Sequence, residues 1–232
     1  MKRFGIKMVD CEKTAILACR TIKDELEFAQ KQENKEHDIY WVESNLHNWP
    51  DKLRDNIQQE LDKLDSYERI LLGFCVCGNS VLGIQTRNFE LIMPKTDDCI
   101  SLMLGSMKRK MELTSGHHSL FLTKGWMKHE ANIWGEYEHT LKKYGAEITA
   151  DIMNTIYGKY DWLSIIDTGA YVLDDILPET QKIADAFDFE HIILEGSTSY
   201  IEQLLTGPWD SERFIRVPPR SIITDSMLII KK

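Results

Sequence analysis

The chain has no long hydrophobic run. Its most apolar stretch, Ile70 to Cys77, is interrupted at Gly73, so nothing approaches the roughly 20 apolar residues that a membrane-spanning helix needs. It has no surplus of positive charge either. Lys and Arg number 28 against 37 Asp and Glu, a formal net charge of −9, which gives no general attraction to nucleic acid or anionic lipid. Proline is scarce, at 6 of 232 residues, and no repeat or low-complexity tract occurs, which excludes collagen-like, solenoid and linker architectures. The opening residues, MKRFGIKMVDCEK, carry two early basic side chains but no apolar stretch of signal-peptide length, so a cytoplasmic protein is expected.

Several chemical signatures are missing too. The glycine-rich segment GFCVCGNSVLG matches neither GxGxxG nor GxxxxGK[ST], the phosphate-cradling patterns. The nucleophile elbow GxSxG is absent, which removes the usual argument for a Ser-His-Asp hydrolase. So is the DxHxxG pattern of corrinoid carriers, and the chain is not expected to carry a corrinoid itself.

What is present is an ordinary globular composition, 43% hydrophobic and 28% charged, long enough to bury about 70% of its open-chain surface without staples. Apolar runs at Phe4–Val9, Ile39–Val42, Arg69–Phe74, Phe89–Met93, Ser119–Leu122, Trp162–Ile166 and His191–Leu194 read as strands. Helical spacing is expected over Glu12–Gln30, from Pro50 through Leu53, Ile57, Leu61 and Leu64, over Cys99–Met111, within 125–160, over Leu173–Phe187 and over Tyr200–Leu205. Arg213–Val217 and Ser226–Ile230 read as edge strands. Strands alternating with helices imply an α/β protein with a mostly parallel sheet flanked by helices. Two arrangements fit: two interlocked Rossmann-like lobes divided near residue 124, or one continuous domain.

The five cysteines, Cys11, Cys19, Cys75, Cys77 and Cys99, stand above this background. An odd count in a cytosolic chain favours metal or redox chemistry over a disulfide framework. No CxxC pair occurs, so any site must be assembled by the fold. Cys11, Cys77 and Cys99 each follow an expected strand, and His47 follows the strand IYWV at a similar distance. Ligands of parallel α/β sheets collect beyond the carboxyl ends of strands. These four side chains therefore suit a zinc site of thiolate and imidazole. The three thiols alone suit a [4Fe-4S] cluster with one iron left for another ligand. Cys19 and Cys75 read as core.

This arrangement resembles the domain-of-unknown-function family 1638. The stretches that carry the resemblance are MVDCEK, ESNLHNWPDKL, ILLGFCVCGNSVLGI, PKTDDCISLMLGS and SLFLTKGW, spread over residues 8–126, with a weaker match, YGKYDWLSIIDTG, at 157–169. The family pattern has a cysteine after the first strand, a Leu-His-Asn/Asp-x-Pro turn, a Cys-Gly after the third strand and a cysteine before a later helix. These correspond to Cys11, His47, Cys77 with Gly78, and Cys99. Some relatives carry histidine where Asp98 stands. Members tend to be encoded beside corrinoid-dependent methyltransferase systems, so the resemblance implies one-carbon metabolism, with a corrinoid protein or methyltransferase as partner and a small-molecule substrate. A thiolate-held zinc could then deliver a thiolate nucleophile near neutral pH to accept a methyl group. The same thiols could instead serve an iron–sulfur protein, or a module that binds and delivers a metal or small molecule without catalysis.

Other residues could complete a ligand pocket. Gly78 and Asn79 lie in a loop whose amides could hold a carboxylate or phosphate. Asp98 precedes Cys99 as a helix cap or supporting group. Lys124 and Trp126 follow the strand SLFL. Thr168 and Ser197 follow two later strands, where helix N-termini can bind anions.

Overall fold

The computed structural model describes residues 13–43, 49–129 and 132–230. Within them the chain is α/β, with mostly parallel sheets flanked by helices. One sheet contains β1 (Thr14–Cys19), β2 (Asp38–Val42), β3 (Arg69–Gly73), β4 (Glu90–Pro94) and β8 (Phe214–Val217), in the order β2-β1-β3-β4-β8. Its first four strands run parallel and β8 closes the edge antiparallel to β4. A second, all-parallel sheet has the order β5-β6-β7, from β5 (Ser119–Leu122), β6 (Trp162–Asp167) and β7 (Glu190–Glu195).

The chain crosses between these sheets more than once. β5 lies before residue 124 yet pairs with β6, and β8 comes from the C-terminal part yet joins the first sheet. Each sheet thus draws on both sides of that position.

Two sequence expectations change toward the ends of the described chain. The helix expected over Glu12–Gln30 is a central strand, β1, then a 3-10 turn at Arg20–Ile22 and helix α1 (Lys23–Gln32). TAILAC lies between β2 and β3 and is covered on both faces, so it shows a continuous apolar run with no alternation. At the other end, Ser226–Ile230 is no strand; it begins in a 3-10 turn at Asp225–Met227. The strand expected at Phe4–Val9 lies outside the described residues.

Both faces of the first sheet are packed. Helix α2 (Pro50–Asp62) covers one with Leu53, Ile57 and Leu61, all essentially inaccessible, and Ile223 and Leu228 of the C-terminal segment extend that core. Helices α1 and α9 (Ser199–Thr206) cover the other, where Ile22, Leu26, Ile201 and Leu204 meet Ile166 of β6 and Leu194 of β7. One apolar cluster therefore belongs to both sheets. Wholly buried in α1, Glu25 accepts a 3.1 Å hydrogen bond from the Thr168 hydroxyl just beyond β6. Burial pushes its carboxyl up to about 7, against the hydrogen bonds it accepts.

The second contact between the halves is backbone against backbone. A Cβ placed on Gly125, in α5 (Lys124–His129), would lie 1.8 Å from the Thr21 carbonyl oxygen. Neither side is a flexible side chain, so Gly125→Ala must push α5 off the turn at Arg20–Ile22. The variant is expected to lose about 3 kcal/mol of stability, read as a lower urea midpoint at unchanged slope.

Candidate functional site

The site begins where the first sheet's strands end. After β3 the chain stays extended, and its amides bond to the loop that follows β4: Val76 N donates to Thr96 O at 3.0 Å and Cys77 N to Asp97 O at 2.9 Å. This pairing carries the strand-end segments side by side and brings Cys77 toward Asp98 and Cys99. Cys77, Gly78 and Asn79 then all take left-handed backbone angles, with φ of 44°, 65° and 67°. Glycine adopts that region freely, whereas a cysteine there costs roughly 1–2 kcal/mol. Strain of this kind at a side chain entering a cavity is a mark of a functional position.

On the neighbouring strand end, Asp98 caps helix α3 (Cys99–Met103) by accepting from Ser101 N at 2.9 Å. Lys110, in α4 (Met107–Leu113), binds both carboxylates of the Asp97-Asp98 pair, at 3.1 and 2.6 Å. The single helix expected over Cys99–Met111 is broken at Gly105, whose φ is 87°. That break returns Lys110 to the loop.

Three sulfurs cluster here. Cys75 lies within the core, 1% exposed. A hydrogen bond with Cys77, then burial and the nearby sulfurs, hold its thiol well above the ordinary range. Cys99 is likewise raised, first by burial and then by Cys77 and Asp98, while the Trp126 indole N–H bonded to it acts the other way. Cys77 and Cys99 are half-exposed. Cys19 ends β1 in the core with its sulfur 3.1 Å from the Thr21 hydroxyl.

Cys77, Gly78, Asp98, Cys99 and Trp126 all line one cavity of about 470 Å³. Its other walls come from Pro50, Ile100 and Asn132, from β5, from Tyr160 and from helices α6 (Ile133–Tyr144) and α7 (Ala146–Tyr157). Tyr157 of α7 donates a hydrogen bond to Glu136 of α6, and burial with that carboxylate raises its phenol. A concave, largely apolar chamber with a few convergent polar groups is the usual form of a small-molecule site. A more open hollow of about 530 Å³ lies near the starts of the strands, around Arg87 and Arg220. It contains no thiol, and its guanidiniums are engaged by Asp62 and Asn88.

The other residues singled out in the sequence lie elsewhere. Asn79 is exposed in the left-handed turn. Lys124 pairs with Asp175 at 2.9 Å, Thr168 binds Glu25, and the Ser197 hydroxyl donates to that of Ser199 at 2.9 Å. None of these four lines the thiol cavity. Conversely, Phe121, Glu136, Tyr157 and Tyr160 line it, though none was singled out in the sequence as a site residue. They belong to a strand and helices whose local patterning says nothing about the opposite sheet.

Cys11 and His47 lie outside the described residues. The flanks of each differ. Thr14 opens β1 opposite Arg69, the first residue of β3, so the chain enters β1 at the sheet edge remote from Cys77 and Cys99. By contrast, β2 ends at Val42 opposite Cys19, on the thiol edge, and Pro50 lines the cavity. Among the described residues, no group of three or more His, Cys, Asp or Glu is arranged to hold a metal ion. No helix among them is long and apolar enough to cross a membrane.

No curated protein and no solved structure matches the chain. A family model described as protein of unknown function (DUF1638) matches residues 41–205. That stretch runs from the end of β2 into the last turn of α9, and holds Cys77, Cys99 and every described wall of the cavity. By this match over most of its length, the chain belongs to the DUF1638 family.

Proposed function

We propose that this protein is a zinc-thiolate protein that readies a small thiol to accept a one-carbon group. The observation that carries the reading is the convergence of Cys77 and Cys99, from neighbouring strand ends, on one cavity large enough for a small substrate. Two neighbouring thiols, one of them held above its ordinary range by burial and by the other sulfur, are the donor set a soft dication relieves. In this reading Cys11, Cys77 and Cys99 hold the ion with His47 as the displaceable fourth candidate, and three protein ligands leave a fourth position for substrate, as catalytic zinc sites do. Bound zinc keeps a coordinated thiol ionised near neutral pH. Trp126 holds Cys99 by its indole N–H, Lys110 neutralises Asp97 and Asp98, and aromatic side chains wall the chamber beside them. The methyl donor is a corrinoid protein, the partner that the family resemblance implies. The substrate sulfur's lone pair forms the new S–C bond, and the Co–C pair stays on cobalt.

Purified anaerobically, the protein is expected to be colourless with one equivalent of zinc. With free methylcobalamin and 2-mercaptoethanol, it should accelerate loss of the alkylcobalamin spectrum. A brown protein absorbing at about 400 nm would replace zinc by an iron–sulfur cluster on the same thiols. Absence of both metals after reconstitution overturns the reading.

A further inference from the structure

We propose that the cavity selects an aminothiol, a small ligand carrying a protonated amine beside its sulfur, with Glu136 as the group that recognises the amine. The inference rests on the preceding reading of this cavity as the binding site, and adds the chemistry of what enters it.

The charges of the lining carry the argument. Its described residues include two carboxylates, Asp98 and Glu136, and no lysine, arginine or histidine. Asp98 is balanced by Lys110, which lies 2.6 Å from it. Glu136 has no ion pair among the described residues; its bond is to the neutral Tyr157 hydroxyl. Net negative charge is therefore left on the α6–α7 side, while the thiols stand on the loops of the first sheet. Between them the cavity is walled by the rings of Phe121, Trp126, Tyr157 and Tyr160. Aromatic faces attract cations and do nothing for anions. A ligand with a soft sulfur end and a cationic end has a partner for each. A thiol bearing a carboxylate or sulfonate would set its anion among carboxylate and ring faces, with no described cation to receive it.

The test reads the field at the thiols without using a metal. The full-length protein, reduced and kept with a chelator, is treated with two methanethiosulfonates of similar size. One bears a trimethylammonium-ethyl group, the other a sulfonatoethyl group. In each, the cysteine thiolate forms a disulfide and methanesulfinate leaves. Tandem mass spectrometry assigns modification to Cys77 or Cys99, apart from Cys11. The cation-to-anion rate ratio at these two positions is expected to exceed that of free N-acetylcysteine by about tenfold or more, as for a cleft lined by one sign of charge. Glu136→Gln should lower the ratio severalfold, Glu136→Asp should retain it, and Glu147→Gln, at an exposed carboxylate, should leave it unchanged. A ratio equal to that of the free thiol, or one that ignores Glu136→Gln, overturns the inference. Zinc content is measured separately, so a metal-free protein with a strong ratio sinks only the metal reading. A zinc-loaded protein with a flat ratio sinks only this one.

Discussion

In the Cys77→Ser and Cys99→Ser proteins, zinc is expected to bind about a hundredfold more weakly than in the parent, and in the double variant not measurably above background. The magnitude follows from the ligand count. Protein zinc sites with four ligands gain about 10–16 kcal/mol at neutral pH, so one ligand accounts for about 3 kcal/mol, or about two decades in affinity. A serine hydroxyl at either position is a hard, protonated donor and recovers little of this. Cys75→Ala provides the contrast. Cys75 lies beside Cys77 but points its bulk into the core shared by Ile16, Leu71 and Ile92. Its loss should lower stability by about 1 kcal/mol and leave zinc affinity within a factor of a few. Competition against a chromophoric chelator measures all five proteins, parent included, on one scale. Parent-like affinity in both single variants removes Cys77 and Cys99 from the ligand set. A selective loss in Cys75→Ala moves the site inward to the core-facing sulfur.

The contrast between these cysteines also marks how far the chain could be read without a structure. RILLG, ELIMP and WLSIID are legible as strands because each is a short, continuous apolar run, the signature of strands covered on both faces. TAILAC has the same character, yet Ile16, Leu17, Ile22 and Leu26 keep a spacing that suits a helix, and the true helix follows after a three-residue turn. Nothing local separates the two, because the separation comes from β2 and β3 pairing on either side of TAILAC. Cys77 and Cys99 were legible as a pair for a reason independent of such detail. Both follow strands that are parallel neighbours, and parallel strands end on the same side. Glu136, Tyr157 and Phe121 were not legible. They reach the cavity through β5 leaving its sequence neighbours to pair with β6, and no spacing along the chain encodes that exchange.

Glu25→Gln is expected to make the protein more stable than the parent at pH 8 by about 3 kcal/mol while changing little at pH 5. The carboxyl is wholly buried where α1 meets the end of β6, and its Oε2 has no hydrogen-bond partner among the described residues. Burial there raises it from 4.5 to about 7. Between those values the folded chain keeps a proton that the unfolded chain has released. Its contribution is therefore complete below pH 4.5 and is lost as pH rises through about 7. At 1.36 kcal/mol per pKa unit, about 3 kcal/mol has gone once Glu25 is ionised in both states. Glutamine has the same shape, can still accept from Thr168, and carries no charge at any pH. The variant should match the parent below pH 4.5, draw ahead of it between there and about pH 7, and keep a constant lead above. Urea unfolding at pH 5, 6, 7 and 8 on both proteins isolates this group, because every other titration is common to the pair. A difference that stays constant across those values would show that ionisation of Glu25 does not govern the α1–β6 contact. A difference opening between pH 5 and 7 and level from 7 to 8 would make that contact weaken as Glu25 loses its proton, and the cavity, whose walls come from both sheets, should lose ligand affinity over the same range.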